Sequence, residues 1–510
     1  MQPILVHEFL ERSADRLPEK VALVCGDKRR TYSELEAEAN RMAAVLLANG
    51  VQRGDRVVLC LPNSVELVVG IFGALKAGAV FVVIHPSTKF DKLAYIVEDC
   101  EARAIVTWVG KASEVERIAQ AQGKPVFVLV VGARGRQFGP LLHDFESQLE
   151  RAKSERPKHV NIDRDLACLV YTSGSTGDPK GVMSDHSNVV FAVDSITTYL
   201  ENEESDVVVN VLPLSFDYGL YQVLMVFAFG GRVVLEHGFA YPAQVLERIQ
   251  AEQVTGLPGV PTIFSVMLSM DLAPFDFSSI RYITNTAAAL PPSHISQLRR
   301  VFPGAKLYSM YGLTETKRTL YLPVEYLDTK PDSVGVPIPG TEAWVEDENG
   351  HRVEPGTVGE LVVRGRHVMR GYWGDSKATA ERFRPGQLPN EHVCYTGDLF
   401  RMDNEGFFYF ISRRDDIIKS RGEKVSPKEV ENVIYRLDGV REVAVVGVPD
   451  PVLGQAIEAF VVSDRDDLTE RAVLRHCRQH LEDLMVPRHV RLVAELPKTT
   501  SGKIKKVGLS

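Results

Sequence analysis

The first 160 residues alternate between two spacings of hydrophobic positions. The segment TYSELEAEANRMAAVLLANGV has helical spacing of its hydrophobic positions. Thr31 and Glu34 form a predicted capping box at its start, and Gly50 marks its end. Buried strands are predicted in the short apolar runs DRVVLCLP and VFVVIHP, with the helical segment SVELVVGIFGALKAG between them. Repeated βαβ units of this kind predict a parallel sheet with helices on its faces.

A second stretch with the same alternation covers about residues 190 to 310, and the pattern changes from about residue 340. There, TEAWVEDENGHRV and LFRMDNEGFFYFI each place Asn-Gly or Asn-Glu-Gly between runs of period two, which is typical of hairpins. We therefore expect mostly antiparallel strands between about residues 335 and 412.

The end of the chain predicts a small separate domain. The segment SPKEVENVIYRL begins a helix, because Ser426 suits the N-cap, Pro427 the first helical position and Glu429 a capping box. We place a domain boundary near Asp415, which divides the chain into 1–414 and 415–510. The expected fold class is α/β, with a large N-terminal domain of βαβ subdomains plus an antiparallel β part, followed by a small α+β domain.

Composition describes a soluble globular chain: it has 510 residues, of which 45% are hydrophobic and 25% charged, enough for two to four domains. A net charge of -8 argues against a dedicated nucleic-acid binder. The six cysteines form no Cys-x-x-Cys pair, so we expect buried, reduced side chains rather than disulfides or a zinc site. No secretory signal or long apolar span is evident, and a cytoplasmic location is expected.

A glycine-rich stretch, YTSGSTGDPKGVM, occupies residues 171–183 after the predicted strand ACLVYT. Glycines let the backbone approach a ligand closely, and hydroxyls offer donors to phosphate oxygens. Lys180 follows Gly177 by three residues, so the stretch does not match the nucleoside-triphosphate pattern G-x-x-x-x-G-K-[ST]. On its own it is more typical of a flexible surface loop.

Five stretches in order change that interpretation. They are YTSGSTGDPKG, YGLTET (311–316), YTGDL (395–399), SRRDDIIKSRGEKVSPKEVE (412–431) and PKTTSGKIKK (497–506). This series resembles the adenylate-forming superfamily of acyl-CoA synthetases, peptide-synthetase adenylation domains and luciferases, over nearly the whole chain. The resemblance implies a large N-terminal domain and a mobile C-terminal domain, in agreement with the boundary near Asp415.

The resemblance also implies how ATP is held. The glycine-rich loop would grip the β- and γ-phosphates with hydroxyls, backbone amides and the charge of Lys180. The implied loop residues are Thr172, Ser173, Gly174, Ser175, Thr176 and Gly177.

Two further motifs would complete the nucleotide site. Tyr311 would stack on the adenine, Thr314 would contact the α-phosphate, and Glu315 would coordinate Mg²⁺, which prefers oxygen ligands. Asp398 would accept hydrogen bonds from both ribose hydroxyls, with Arg413 as a second contact. The small residues of NTAAAL, 285–290, would line the entry of the adenine.

The C-terminal motifs imply two half-reactions. Lys503 would bridge the substrate carboxylate and the nucleotide while the adenylate forms. The C-terminal domain would then rotate about a hinge at Asp415 and present another face, with Lys419 near the site and Gly422 beside the channel for a thiol.

The stretch LPLSFDYGLYQ, residues 212–222, is expected to contact the acid. Phe216 stands where the acyl-CoA synthetases carry histidine, whereas the pair Phe216-Asp217 matches amino-acid-activating domains. A buried Asp217 needs a cation, which is either a substrate amine or a side chain of TETKRT, Lys317 or Arg318. We favour the pairing with Arg318. Tyr218 and Tyr221 indicate a compact, partly aromatic pocket rather than a long acyl tunnel.

Three functions are left open at this point. The first is an AMP-forming ligase that uses ATP and Mg²⁺ to make an acyl-adenylate from a small carboxylic acid, and then a thioester on CoA or on a carrier-protein phosphopantetheine. The second is an amino-acid adenylating enzyme that loads a stand-alone carrier protein, or a ligase that forms an amide with an amine. The third, a non-catalytic nucleotide-binding protein, is disfavoured by the presence of Lys180, Glu315, Asp398 and Lys503.

Overall fold

The computed structural model describes most of the chain. The described residues are 2–136, 139–173, 179–286, 290–420, 423–450, 454–483, 485–499, 502–506 and 508–509.

The N-terminal stretch alternates helices and strands as the hydrophobic spacing predicts. Its elements are α1 (Glu8–Arg16), β1 (Val21–Cys25), β2 (Lys28–Thr31), α2 (Tyr32–Ala48), β3 (Arg56–Cys60), α3 (Val65–Lys76), β4 (Val80–Val83), α4 (Phe90–Asp99), β5 (Ala102–Trp108), α5 (Ala112–Ala121), β6 (Phe127–Val131), β7 (Leu142–Asp144) and α6 (Phe145–Arg151).

The second alternating stretch begins with a hairpin. Its elements are β8 (Leu166–Ser173), β9 (Pro179–Asp185), α7 (His186–Tyr199), β10 (Val207–Asn210), α8 (Asp217–Phe229), β11 (Arg232–Leu235), α9 (Pro242–Ala251), β12 (Gly256–Gly259), α10 (Pro261–Leu268), β13 (Tyr282–Asn285), α11 (Pro292–Val301), β14 (Lys306–Tyr311), β15 (Leu320–Tyr321) and β16 (Val336–Pro337), with a 3-10 turn at Val324–Tyr326.

The remaining elements are mostly strands. They are β17 (Thr341–Glu346), β18 (Val358–Gly365), α12 (Ser376–Arg382), β19 (Phe383–Pro385), β20 (His392–Met402), β21 (Phe408–Arg413), a 3-10 turn at Arg414–Asp416, β22 (Ile418–Ser420), β23 (Glu423–Val425), α13 (Pro427–Ile434), β24 (Val440–Asp450), β25 (Gly454–Ser463), α14 (Glu470–His480) and β26 (His489–Leu492).

Two large sheets form the α/β part. The first has seven strands in the order β7-β6-β5-β3-β4-β8-β9, and every neighbouring pair is parallel except the β8–β9 hairpin. The second has nine strands in the order β16-β15-β14-β13-β12-β10-β11-β1-β2, with a parallel centre and antiparallel strands at both edges. The predicted α/β class is confirmed.

Helix α8 lies in the core that both large sheets share. Its residues from Asp217 to Phe227 are all buried, so it has no solvent face. Val223 and Phe227 of this helix share one hydrophobic cluster with Val57 and Phe81 of the first sheet and with strand β11 of the second. A helix that is apolar all round fits only such a fully buried position. Its first turn therefore enters the core region where the site forms.

The other two sheets are smaller. Strands β17-β18-β20-β19, with β21 beside β20, are antiparallel throughout, as predicted for about residues 335 to 412. A five-stranded C-terminal sheet, β23-β22-β25-β24 with β26 beside β25, carries α13 and α14.

The helix caps follow the sequence closely. At α2, Thr31 accepts from the amide of Glu34 at 3.2 Å, and the Glu34 carboxylate accepts from the amide of Thr31 at 2.8 Å. At α13, Ser426 accepts from the amide of Glu429 at 3.4 Å, but the returning bond of the expected box is not made between these two described residues.

All six cysteines lie within the described residues and are buried free thiols, as expected. Among the helices that the structure describes, none is both long and apolar enough to cross a membrane.

Candidate active site

The loop between β14 and β15, residues 312–319, is a tight turn that carries the YGLTET motif. The amide of Thr319 donates to the carbonyl of Tyr311 at 2.9 Å and closes the loop. A Cβ on Gly312 would lie 1.8 Å from the carbonyl oxygen of Lys317, so only glycine fits there. Lys317 itself has φ of 55°, an unusual conformation for a residue with a side chain. This backbone fixes the directions of the side chains that follow Thr314.

Tyr311 and Asp398 are joined directly. The Tyr311 hydroxyl donates to Oδ2 of Asp398 at 2.7 Å, and the Tyr311 ring meets Phe400 edge to face at 4.9 Å. Arg413 lies opposite Asp398 across the β20–β21 pair, with its Nε 3.7 Å from Oδ1. An aromatic face, a carboxylate and a guanidinium therefore lie together at one end of the antiparallel sheet.

Burial sets the protonation of this pair. Desolvation raises the pKa of Asp398, and the charge of Arg413 and the hydrogen bond from Tyr311 oppose that shift. Burial, reinforced by the charge of Asp398, raises the pKa of Tyr311 well above its ordinary value. Tyr311 is therefore a neutral donor at neutral pH.

Glu315 is buried beside residues of the segment that precedes α12. Its Oε1 accepts from the hydroxyl of Tyr372 at 2.6 Å. The ammonium of Lys180 lies 5.5 Å from the centre of the Tyr372 ring and 3.4 Å from Oδ2 of Asp375. One cation and two carboxylates thus surround a single tyrosine.

Only part of the glycine-rich loop can be placed. Thr172 lies in β8 opposite Lys180 of β9, and the Lys180 side chain is about one-quarter exposed. Ser173 belongs to β8, but its side chain lies outside the description, and Gly174, Ser175, Thr176 and Gly177 lie outside the described residues. Thr314 is half-buried in the 312–319 loop.

The loop that carries Lys503 lies against the N-terminal part of the chain. Thr262 donates from its hydroxyl to the carbonyl of Gly502 at 3.1 Å, and the Lys503 ammonium lies 5.5 Å from the Phe216 ring. Burial lowers the pKa of Lys503, Arg413 lowers it further, and Asp398 and then Asp217 and Glu315 oppose this. The lysine therefore stands among the charges of the site.

Asp217 forms an ion pair, but with Lys317 rather than with Arg318, so the favoured pairing is wrong. The ammonium of Lys317 donates to Oδ1 of Asp217 at 2.8 Å, and both side chains are buried. The Arg318 guanidinium instead stacks on Tyr218 at 4.4 Å from the ring centre. The positive φ at Lys317 turns the two consecutive side chains in different directions.

The predicted hinge segment is described only in part. Asp415 lies in the 3-10 turn Arg414–Asp416 and Lys419 in β22, although neither side chain is described, and Gly422 lies outside the described residues. In the predicted adenine entry, Asn285 is buried, and 287–289 lie outside the described residues.

Three residues at the site were missed from the sequence: Tyr372, Asp375 and Arg382. Tyr372 bonds Glu315, and Asp375 caps α12 by accepting from the amide of Ala378 at 2.8 Å. Arg382 is half-buried; burial lowers the pKa of Arg382, but the neighbouring charges of Glu315, Tyr372 and Asp398 together raise it above its ordinary value. The cap Asp375 had a local signal in the sequence GDSKA, whereas Tyr372 and Arg382 had none.

Known proteins match this chain over its whole length. A family model described as AMP-binding enzyme matches residues 10–373, and one described as AMP-binding enzyme C-terminal domain matches residues 429–503. A long-chain-fatty-acid–CoA ligase of Bacillus subtilis is 32% identical over 98% of this chain and 93% of its own length. Tyrocidine synthase 2 of Brevibacillus parabrevis is 30% identical over 98% of this chain, which is 13% of that protein.

The fold is shared with solved structures. An anthranilate CoA ligase, AuaEII, in complex with anthranoyl-AMP superposes with a TM-score of 0.91 at 28% identity, covering 98% of this chain and 96% of that one.

Proposed function

The chain belongs to the AMP-binding enzymes and is an ATP-dependent, AMP-forming ligase of carboxylic acids and CoA, and we propose that the residues gathered above carry its two half-reactions. The observation that carries this proposal is the position of Lys503. A loop from the C-terminal part of the chain places this ammonium 5.5 Å from Phe216, within the field of Asp398 and Glu315.

In the first half-reaction, one oxygen of the acid carboxylate attacks the α-phosphorus of ATP and pyrophosphate leaves. Both reactants are anionic, so the protein must neutralise charge and hold them in line rather than move a proton. Lys180 would bind the departing phosphates, with Thr172 and the glycine-rich loop. Lys503 would hold the attacking carboxylate against the nucleotide.

The nucleoside part of ATP would lie beside Tyr311 and Asp398. Tyr311 would offer its ring to the adenine. Asp398 has one oxygen bonded to Tyr311 and the other 3.7 Å from Arg413, so a ribose diol would compete with those contacts for its lone pairs.

Mg²⁺ fits the donor set around Glu315. This carboxylate is buried, and one of its oxygens accepts a hydrogen bond from Tyr372. Mg²⁺ is usually bound by one or two carboxylates together with substrate phosphate oxygens. When bound, the ion neutralises phosphate charge. Burial and the nearby charge of Glu315 raise the pKa of Tyr372, so the tyrosine keeps its hydroxyl proton. Tyr372 would therefore orient Glu315 by donating this hydrogen bond.

In the second half-reaction, the thiol loses its proton to solvent, its sulfur attacks the acyl carbon, the bond from that carbon to the phosphate oxygen breaks, and AMP leaves. We propose that the C-terminal domain, residues 415–510, rotates about Asp415 and removes Lys503 from the site. Lys419 and Gly422 would then face the thiol. The thiol of CoA and the phosphopantetheine of a carrier protein have the same chemistry, so either acceptor suits this step.

The acid is proposed to lie between Phe216 and the first turn of α8. Because Lys317 already neutralises Asp217, an amine is not required in the substrate. A second candidate, activation of an amino acid, is favoured by one observation: Oδ2 of Asp217 is buried and bonds none of the residues that the structure describes.

Acid-dependent ATP–pyrophosphate exchange tests the proposal. The panel compares amino acids with acids that have the same carbon skeleton and no amine, followed by thioester formation with CoA or a phosphopantetheinylated carrier protein. We expect exchange with amine-free acids and thioester formation on CoA. Exchange with amino acids alone supports the second candidate, and exchange with no acid contradicts both.

A further inference from the structure

Arg318 is a buried cation for which the described part of the chain offers no anion. Its residue exposure is 3%, and Nε and Nη2 bond none of the residues that the structure describes. The nearby carboxylate of Asp217 is bonded by Lys317 at 2.8 Å. A guanidinium is always charged in proteins, and a buried unpaired charge is strongly unfavourable.

Aromatic packing holds the Arg318 guanidinium in place without satisfying its donors. The guanidinium carbon lies 4.4 Å from the centre of the Tyr218 ring, a cation–π contact. Tyr218 is fixed in turn, because its hydroxyl bonds Thr284 at 2.6 Å through Oγ1. The N–H groups of a stacked guanidinium remain free in its own plane, where a planar acceptor can meet them.

The guanidinium lies on the acid side of the site. Tyr218 meets Phe216 edge to face at 6.4 Å, and the Phe216 ring lies 5.5 Å from the ammonium of Lys503. Phe216 and Tyr218 therefore form a path of neighbouring side chains with Lys503 at one end and Arg318 at the other. An acid whose reacting carboxylate meets Lys503 would extend along this path toward Arg318.

The charge balance along the path is positive. Asp217 and Lys317 neutralise each other, whereas Arg318 has no counterpart among the described residues. Tyr221 adds a buried hydroxyl that bonds none of the described residues.

We propose that Arg318 is a specificity-determining residue that binds a second carboxylate, so that the preferred substrates are dicarboxylic acids. This inference rests on the proposed function, since it requires the acid to lie beside Phe216. A carboxylate matches the fork of a guanidinium with two hydrogen bonds, and it supplies the missing charge. The second carboxylate takes no part in bond making, because only the carboxylate at Lys503 attacks the α-phosphorus.

The test compares each dicarboxylic acid with its own monoamide, which has the same length and shape but no second charge. Malonic, succinic, glutaric and adipic acids and their monoamides are assayed by ATP–pyrophosphate exchange. For the best length, we expect kcat/KM to favour the diacid by about ten- to a hundredfold, the range of a charge-assisted hydrogen bond.

The variant Arg318→Gln keeps a donor but removes the charge, and the preference for the diacid is expected to fall to near unity through a rise in KM. The matched control is Arg300→Gln on the exposed face of α11, which should keep the wild-type preference. A second readout does not depend on turnover: the diacid with a non-hydrolysable ATP analogue should raise the Tm of the wild type and not that of Arg318→Gln.

Each outcome bears on one proposal. Equal use of diacid and monoamide by the wild type, or an unchanged preference in Arg318→Gln, overturns the inference and reduces Arg318 to a packing contact of Tyr218. A preference for amino acids overturns it as well. If no acid of any class supports exchange, the proposed function itself is contradicted.

Discussion

At the residue scale, the ion pair between Asp217 and Lys317 is the feature that most constrains the site. The two side chains are 7% and 1% exposed, so little water solvates either charge. Such a pair contributes little net stability, but removal of one partner leaves a buried charge unpaired, which costs about 3–5 kcal/mol.

We expect Asp217→Asn and Lys317→Met each to lower the Tm, and the double variant to lower it by less than the sum, because it leaves neither of the two charges behind. Calorimetry of the four proteins gives the coupling. Asp217→Asn should also lower kcat/KM for every acid alike. A defect confined to amino acids would mean instead that Asp217 binds a substrate amine.

A second residue-scale prediction concerns His367, which is buried and stacked on Phe191 at 5.7 Å. Burial lowers the pKa of His367 from 6.5 to about 4. The contribution of neutral His367 to the free energy of unfolding is fully present above the pKa of the unfolded state. It is lost as the pH falls from 6.5 toward 4, because in that range the unfolded state binds a proton that the folded state does not.

His367→Phe removes that contribution. Relative to the wild type, its unfolding free energy should rise by about 2 kcal/mol when the pH is lowered from neutral to 5. Scanning calorimetry at several pH values measures the difference in Tm. The exposed His392→Gln should show no such trend, and a trend of equal size there would refute a specific role for His367.

At the element scale, the 312–319 loop determines which side chains face the site. It joins two strands that pair antiparallel, with Tyr311 opposite Leu320. Within this short connection the backbone places Glu315 beside Tyr372 and Lys317 beside Asp217 of α8.

Gly312→Ala should disturb this loop, since its Cβ would lie 1.8 Å from the Lys317 carbonyl oxygen, which belongs to the backbone. We expect kcat/KM to fall about a hundredfold, because small displacements of positioned groups have effects of that size. Steady-state kinetics measure the loss. The control is Gly304→Ala, where the added Cβ meets no atom within 4 Å, and near-normal activity of Gly312→Ala would contradict the argument.

At the scale of the whole molecule, the Lys503 loop lies against the N-terminal part of the chain, which is the arrangement that we propose for adenylate formation. Among the described residues of this loop, Gly502 accepts a hydrogen bond from Thr262, and Lys503 approaches Phe216. One hydrogen bond and one cation–π contact are compatible with release of the loop in the second orientation that we propose.

Lys503→Ala should therefore lower the rate of acyl-adenylate formation by about a hundredfold or more, while thioester formation from a supplied acyl-adenylate is largely retained. Pyrophosphate release and thioester formation are measured separately. Lys505→Ala, an exposed lysine of the same loop, serves as the control. Equal loss of both half-reactions would show that Lys503 does not act in the first alone.

The sequence by itself determined the local structure and the order of the motifs. Periodicity predicted the two alternating stretches and the hairpins, and Thr31 with Glu34 predicted the start of α2. These features depend on residues three or four positions apart, so the chain encodes them locally. The motifs at Lys180, Glu315, Asp398 and Lys503 were also evident, because each is a short continuous stretch.

Only the tertiary structure decided the partners of the buried charges. Lys317 and Arg318 are adjacent in sequence, and the φ of 55° at Lys317 directs one to Asp217 and the other to Tyr218. Tyr372 reaches Glu315 across 57 residues of chain. No hydrophobic period or cap encodes such a choice, because it depends on side-chain direction and on which groups the fold deprives of water.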